Sequence, residues 1–277
     1  MYIIYSKNNN SYEDLIKHYS VIDINNKNNY HWLSNKYNPR IIIRLNSKII
    51  LSDKYNICNP KVILKLKLYN NSRLIEFVSS NSQIAVLEWW KNSGLELKYD
   101  KYALNWASQC GLVAVLEWWK NSGLPLKYTE NAINWASYNG QVAILEWWKN
   151  SGLPLKYSES ALCDASLKGH INVLEWWKNS GLELKYSENA LDTASRNGQV
   201  AVLEWWKNSG LPLKYSESAL SNASRNGQVA VLEWWKNSGL KLKYHRDIIN
   251  YVYLYGHINV LKWWKNSRLE LKYGEND

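Results

Sequence analysis

Histidines, cysteines and a run of paired tryptophans are the side chains of this sequence whose spacing bears on chemistry. His18, His31, His170, His245 and His257 are scattered along the chain. No serine-histidine-aspartate set, carboxylate pair or glycine-rich phosphate loop accompanies them, and catalysis needs acid, base and nucleophile groups that converge. Cys58, Cys110 and Cys163 are odd in number and lack metal-ligand spacing, which argues against a disulfide framework or a zinc site. The expectation is no enzyme, no cofactor and no metal. His170 and His257 are expected to cap a turn or touch backbone. The tryptophans invite a stacking role, but Val and Leu beside them on one helix face point to core packing. The chain has 17 Trp and 20 Tyr but a single Phe, a bias that arises when one segment is copied many times.

The dipeptide Trp-Trp begins at 89, 118, 147, 176, 205, 234 and 263, always 29 residues apart. Two glycine series keep the same interval, one from Gly111 to Gly256 and one from Gly94 to Gly239. The copy from Tyr157 to Lys185 reads YSESALCDASLKGHINVLEWWKNSGLELK. Ser158 or Ser160 suits the start of a first helix, with Glu159 at its positive end. Ala161, Leu162 and Ala165 give that helix a thin apolar face, and Gly169 breaks the chain. Val173, Leu174, Trp176 and Trp177 line the apolar face of a second helix, with Glu175 and Lys178 on its wet side. Gly181 suits a left-handed C-cap, and Leu182 to Tyr186 reads as an extended connector. A single 29-residue copy cannot offset its own ordering cost, so the copies must stack as a solenoid.

The pattern A-L-x-x-A-S-x-x-G-[QH]-x-x-V-L-x-W-W-x-x-S-G resembles the ankyrin repeat in register, and His170 and His257 restore its glycine-histidine pair. The departures are definite. Alanine, as at Ala132, replaces the proline that opens the first helix, Trp-Trp replaces Leu-Leu, and the repeat is four residues short of the usual 33. The resemblance implies an all-α, ankyrin-like helix-turn-helix solenoid with shortened connectors and a projecting finger that is shortened or absent. Seven repeats fit, at 70–98, 99–127, 128–156, 157–185, 186–214, 215–243 and 244–272, followed by a tail at 273–277. Repeats of this Trp-Trp-Lys-Asn-Ser-Gly type are similar to divergent ankyrin arrays encoded by giant DNA viruses of amoebae. The Asn-, Lys-, Ile- and Tyr-rich N-terminus fits such an AT-rich source.

The end repeats depart from the middle ones. In the first, Ser82 replaces a turn glycine; in the last, Arg268 replaces a capping glycine and Ile248, Ile249, Tyr251, Val252, Tyr253 and Tyr255 crowd the first helix. Residues 1–69 contain no copy and hold 11 Lys+Arg against 4 Asp+Glu. They read as a small helical or mixed cap. Asn8–Asn10 and Asn25–Asn29 are expected loops, and 40–51 and 61–68 either strands or short helices. No run approaches 18 apolar residues, and Met1 to Ser11 lacks a secretory apolar stretch, so a cytoplasmic protein is expected.

The copies also act as their own alignment. The second helix is nearly fixed, whereas the first helix varies at one inner position and at its end. Trp106 and Trp135 stand where other repeats have Asp164, Thr193 and Asn222. Gln109-Cys110, Tyr138-Asn139, Leu167-Lys168, Arg196-Asn197 and Arg225-Asn226 end successive first helices. The ankyrin resemblance places such positions on the concave face that contacts protein partners. Partner binding is therefore expected at Trp106, Gln109, Trp135, Tyr138, Asn139, Leu167, Lys168, Arg196, Asn197, Arg225 and Asn226. A nucleic acid held by the basic N-terminal segment is the alternative, or a ubiquitin-ligase adaptor, although residues 1–69 show no convincing F-box-like match.

Overall fold

The computed structural model describes residues 2–5, 20–23, 40–45, 48–51, 56–65, 67–70, 72–245 and 248–271. The chain divides into two compact bodies, an N-terminal body of residues 1–107 with 112–128 and a C-terminal body of residues 108–111 with 129–277. Four strands open the N-terminal body: β1 (Tyr2–Tyr5), β2 (Ser20–Asp23), β3 (Arg40–Leu45) and β4 (Lys48–Leu51). They form an antiparallel sheet in the order β2-β1-β3-β4, with Leu45 opposite Lys48. The isoleucine-rich stretch 40–51 thus resolves into strands, as β-branched side chains favour. Helix α1 (Pro60–Lys65) and a 3-10 turn at Leu68–Asn70 follow, so the N-terminal region is mixed. Asn8–Asn10, Asn25–Asn29, His18, His31 and the 273–277 tail lie outside the described residues.

From residue 72 onward the described secondary structure is helical and comes in pairs. The first and second helices of successive repeats are α2 (Ser72–Ser80) and α3 (Ile84–Asn92), α4 (Tyr102–Gln109) and α5 (Val113–Asn121), α6 (Asn131–Tyr138) and α7 (Val142–Asn150). Then come α8 (Ser160–Lys168) and α9 (Ile171–Asn179), α10 (Asn189–Arg196) and α11 (Val200–Asn208). The last pairs are α12 (Ser218–Arg225) with α13 (Val229–Asn237), and α14 (Ile248–Tyr255) with α15 (Ile258–Asn266). This is the all-α repeat solenoid that the sequence implies.

Local chemistry sets the boundaries of the fourth repeat's helices. Ser158, not Ser160, holds the start of α8, its Oγ accepting the Ser160 amide at 3.3 Å. Gly169 ends that helix at φ +81°. Ser180 Oγ donates to the Trp177 carbonyl at 2.7 Å and accepts the Leu182 amide at 3.1 Å, a serine turn that Gly181 completes at φ +73°. Ser82 and Arg268 take the same left-handed backbone, at φ +57° and +60°. Arg268→Gly should therefore raise stability by about 1 kcal/mol, seen as a small upward shift of the urea midpoint.

The connectors form no strands among the described residues; side chains tie them instead. Tyr186 donates its hydroxyl to the Pro212 carbonyl at 2.9 Å, while Lys214 reaches the Tyr186 carbonyl at 3.0 Å with its ammonium 4.5 Å from the ring centroid. Tyr99 with Lys127 and Tyr215 with Lys243 repeat the arrangement. A shortened connector thus keeps its register without the β-hairpin of longer ankyrin repeats.

Candidate functional site

The two tryptophans of each pair do different work. The second is fully buried in all seven repeats. From the second repeat on, its indole N–H donates to the serine of the preceding repeat's first helix. Trp119 reaches Ser79 in the N-terminal body at 3.2 Å; in the C-terminal body Trp148, Trp177, Trp206, Trp235 and Trp264 reach Ser108, Ser137, Ser166, Ser195 and Ser224 at 2.9–3.1 Å. Trp90, in the first repeat, has a buried Nε1 without a partner. The first tryptophan of most pairs is only half-buried. Its indole donates to a glutamate one repeat back, as Trp118 does to Glu88 and Trp234 to Glu204, both at 2.7 Å. An asparagine one turn along completes the set, with Asn208 donating to Glu204 at 2.7 Å. The indole first and the amide second hold Glu88, Glu146, Glu204 and Glu233 below the ordinary carboxylate range. Core packing thus describes the second tryptophan fully and the first in part.

His170 and His257 act through backbone, whereas His245 Nε2 lies 2.6 Å from the Glu217 carboxylate. His170 Nε2 donates to the Tyr138 carbonyl at 3.1 Å and His257 Nε2 to the Arg225 carbonyl at 2.9 Å, with the proton placed on Nε2 because a carbonyl only accepts. Gln199 makes the same reach to the Leu167 carbonyl at 3.4 Å. Each side chain lies over the preceding repeat's turn glycine. A Cβ at Gly140 would stand 3.0 Å from the His170 ring, and one at Gly169 2.6 Å from Gln199 Oε1.

A further set of polar pairs escaped the sequence reading. Asn134 donates to Ser158 Oγ at 2.8 Å and accepts the Ser158 amide, and Asp192 accepts both the hydroxyl and the amide of Ser216. The signal was a residue that varies among Asn, Cys, Asp and Ser within an otherwise apolar helix face. Between the first and second repeats the equivalent positions are Glu76 and Asp100. Burial first, then the Asp100 carboxylate, pushes Glu76 up to about 7, with Arg73 pulling the other way. A raised carboxyl favours the fold while protonated. Its contribution is complete below the unfolded value near 4.5 and lost as pH rises through about 7. Glu76→Gln should therefore stabilise the chain at pH 8 and change little at pH 4, as read by thermal melting at both pH values.

The expected partner-binding residues divide into two groups. Trp106, 37% exposed, lies in the N-terminal body. In the C-terminal body Gln109, Trp135, Tyr138, Leu167 and Arg225 are half-buried, and Lys168 and Arg196 are exposed. Tyr138 and Lys168 are brought together, the ammonium 4.6 Å from the ring centroid. The asparagines, by contrast, serve their own helix ends. Asn139, Asn197 and Asn226 donate to the carbonyls of Trp135, Thr193 and Asn222 at 2.8–2.9 Å. Among the described residues there is no cluster of His, Cys, Asp and Glu able to hold a metal, and no helix long and apolar enough to cross a membrane.

Set beside known proteins, the chain resembles the crystal structure of the human ASB11 ankyrin repeat domain, with a TM-score of 0.50 and 15% identity over 62% of this chain and 86% of that one. The pentatricopeptide repeat protein PPR10, in complex with an 18-nucleotide psaJ RNA element, aligns at a TM-score of 0.30 and 15% identity over 76% of this chain and 34% of its own. No family model matches the sequence, and no curated protein matches it. The likeness to ASB11 is one of fold: the repeats are ankyrin-like.

Proposed function

We propose that this chain is a noncatalytic scaffold that binds a protein partner through the varying first-helix residues of its ankyrin-like repeats. The observation that carries this reading is a division of labour. The near-invariant side chains hold the array together: tryptophan to serine, tryptophan to glutamate, tyrosine to carbonyl, serine to its own turn. Trp135, Tyr138, Leu167, Lys168, Arg196 and Arg225 change from repeat to repeat, and Lys168 and Arg196 present charge to solvent. A rigid face of this kind binds without the ordering cost of a flexible segment. In domain terms, residues 1–69 form an N-terminal cap region and 70–272 the seven-repeat array. The sequence character favours a giant-virus protein that meets a host factor in the host cytoplasm.

Charge reversal tests the basic end of the strip. Arg196→Glu with Arg225→Glu should weaken partner capture from amoebal lysate by about tenfold or more while leaving the melting temperature unchanged. Equal capture by both forms would remove these arginines from the site. Nucleic acid held by the basic N-terminal segment would show instead as binding that falls steeply with salt and ignores the two substitutions.

A further inference from the structure

We propose that the outer end of the last repeat is a self-association face, on which a second copy of this chain sits tail to tail about a two-fold axis. In the preceding repeats the first-helix serines Ser166, Ser195 and Ser224 are fully buried beneath the next repeat's tryptophan. The matching residue of the last repeat is Tyr253, which is 55% exposed. Beside it Leu254 is 78% exposed and Tyr255 52%, where the previous repeat carries Arg225 and Asn226. Ile258, the first residue of α15, is 65% exposed. A terminal repeat that faces water takes polar residues on its outer side; these substitutions run the opposite way. Together Tyr253, Leu254, Tyr255 and Ile258 expose on the order of 500 Å², comparable in size to the largest apolar patch of a typical monomer.

The chemistry of the face selects its occupant. Another repeat of the array's own kind would bring two indole donors. Its buried tryptophan would meet Tyr253 in place of a serine, and its outer tryptophan would meet Lys262 in place of a glutamate. The first repeat of another copy is no better suited, because Trp90 is already fully covered within the N-terminal body. A two-fold contact asks only that one patch complement itself, and a tyrosine-leucine-isoleucine face does so. Two such patches bury about 1,000 Å², the threshold for a specific contact before any polar rim is added.

Sedimentation equilibrium of the 277-residue chain between about 1 and 100 µM tests this directly. The expected result is a monomer–dimer equilibrium within that range, weakened about tenfold or more by Leu254→Arg. Leu254 is too exposed for that change to disturb the fold. Tyr253→Ser restores the residue of the neighbouring repeats and should weaken the dimer in the same direction. A monomer throughout, open-ended growth beyond the dimer, or a dimer indifferent to both substitutions would overturn the proposal.

Discussion

Trp206→Ala will destabilise the chain by about 4 kcal/mol, whereas Trp205→Ala, one residue away, will cost about 1 kcal/mol. Trp206 is fully buried, with the Trp205 ring edge-on at 5.1 Å, the Tyr186 ring at 4.7 Å and Ser166 accepting its N–H at 2.9 Å. Its loss opens a cavity between two repeats and leaves Ser166 without its donor. Trp205 is half-buried, and its Nε1 bond goes to the exposed Glu175 at 2.6 Å, where water can take over. Urea unfolding of the two variants measures the difference. Equal losses would mean that the pair acts as one apolar block.

Gly227→Ala will cost about 3 kcal/mol and Gly239→Ala about 1 kcal/mol, although both glycines have nearly the same backbone. Their φ values are +73° and +75°, so alanine is strained at either position. At Gly239 nothing lies within 4 Å of the added carbon. At Gly227 it would stand 3.0 Å from His257 Nδ1, on a ring whose other nitrogen is fastened to the Arg225 carbonyl at 2.9 Å. The ring must give by a few tenths of an ångström, which strains that bond. His257→Ala in the Gly227→Ala background should recover part of the loss, and thermal melting of the four-member cycle reads the coupling.

The repeat period, the helix pairs and the extended connectors were legible in the sequence because each is a local pattern repeated without insertion. The partners of the tryptophans were not, since Ser166 and Trp206 are 40 residues apart and only the stack brings them together. The recurrence of that serine and of Glu175 through the first six repeats was the available sign. The strand character of 40–51 stayed open because a run of isoleucines between basic residues suits either element until a sheet partner is known, and β1 supplies one for β3. At the candidate site, the variability of the first-helix ends was plain, but variability alone does not separate an amide that caps its own helix, as at Asn197, from an exposed guanidinium at Arg196.

Trp135→Thr, Tyr138→Arg, Leu167→Arg and Lys168→Asn together give the third and fourth repeats the residues the fifth already carries at Thr193, Arg196 and Asn197. No tryptophan, serine or glutamate of the ladders changes. The decisive measurement is partner capture from host lysate by this variant beside the unaltered chain, with melting temperatures taken in parallel. Equal melting and loss of the captured protein are expected. Undiminished capture by an equally stable variant would contradict the proposed site and place binding away from the varying first-helix residues.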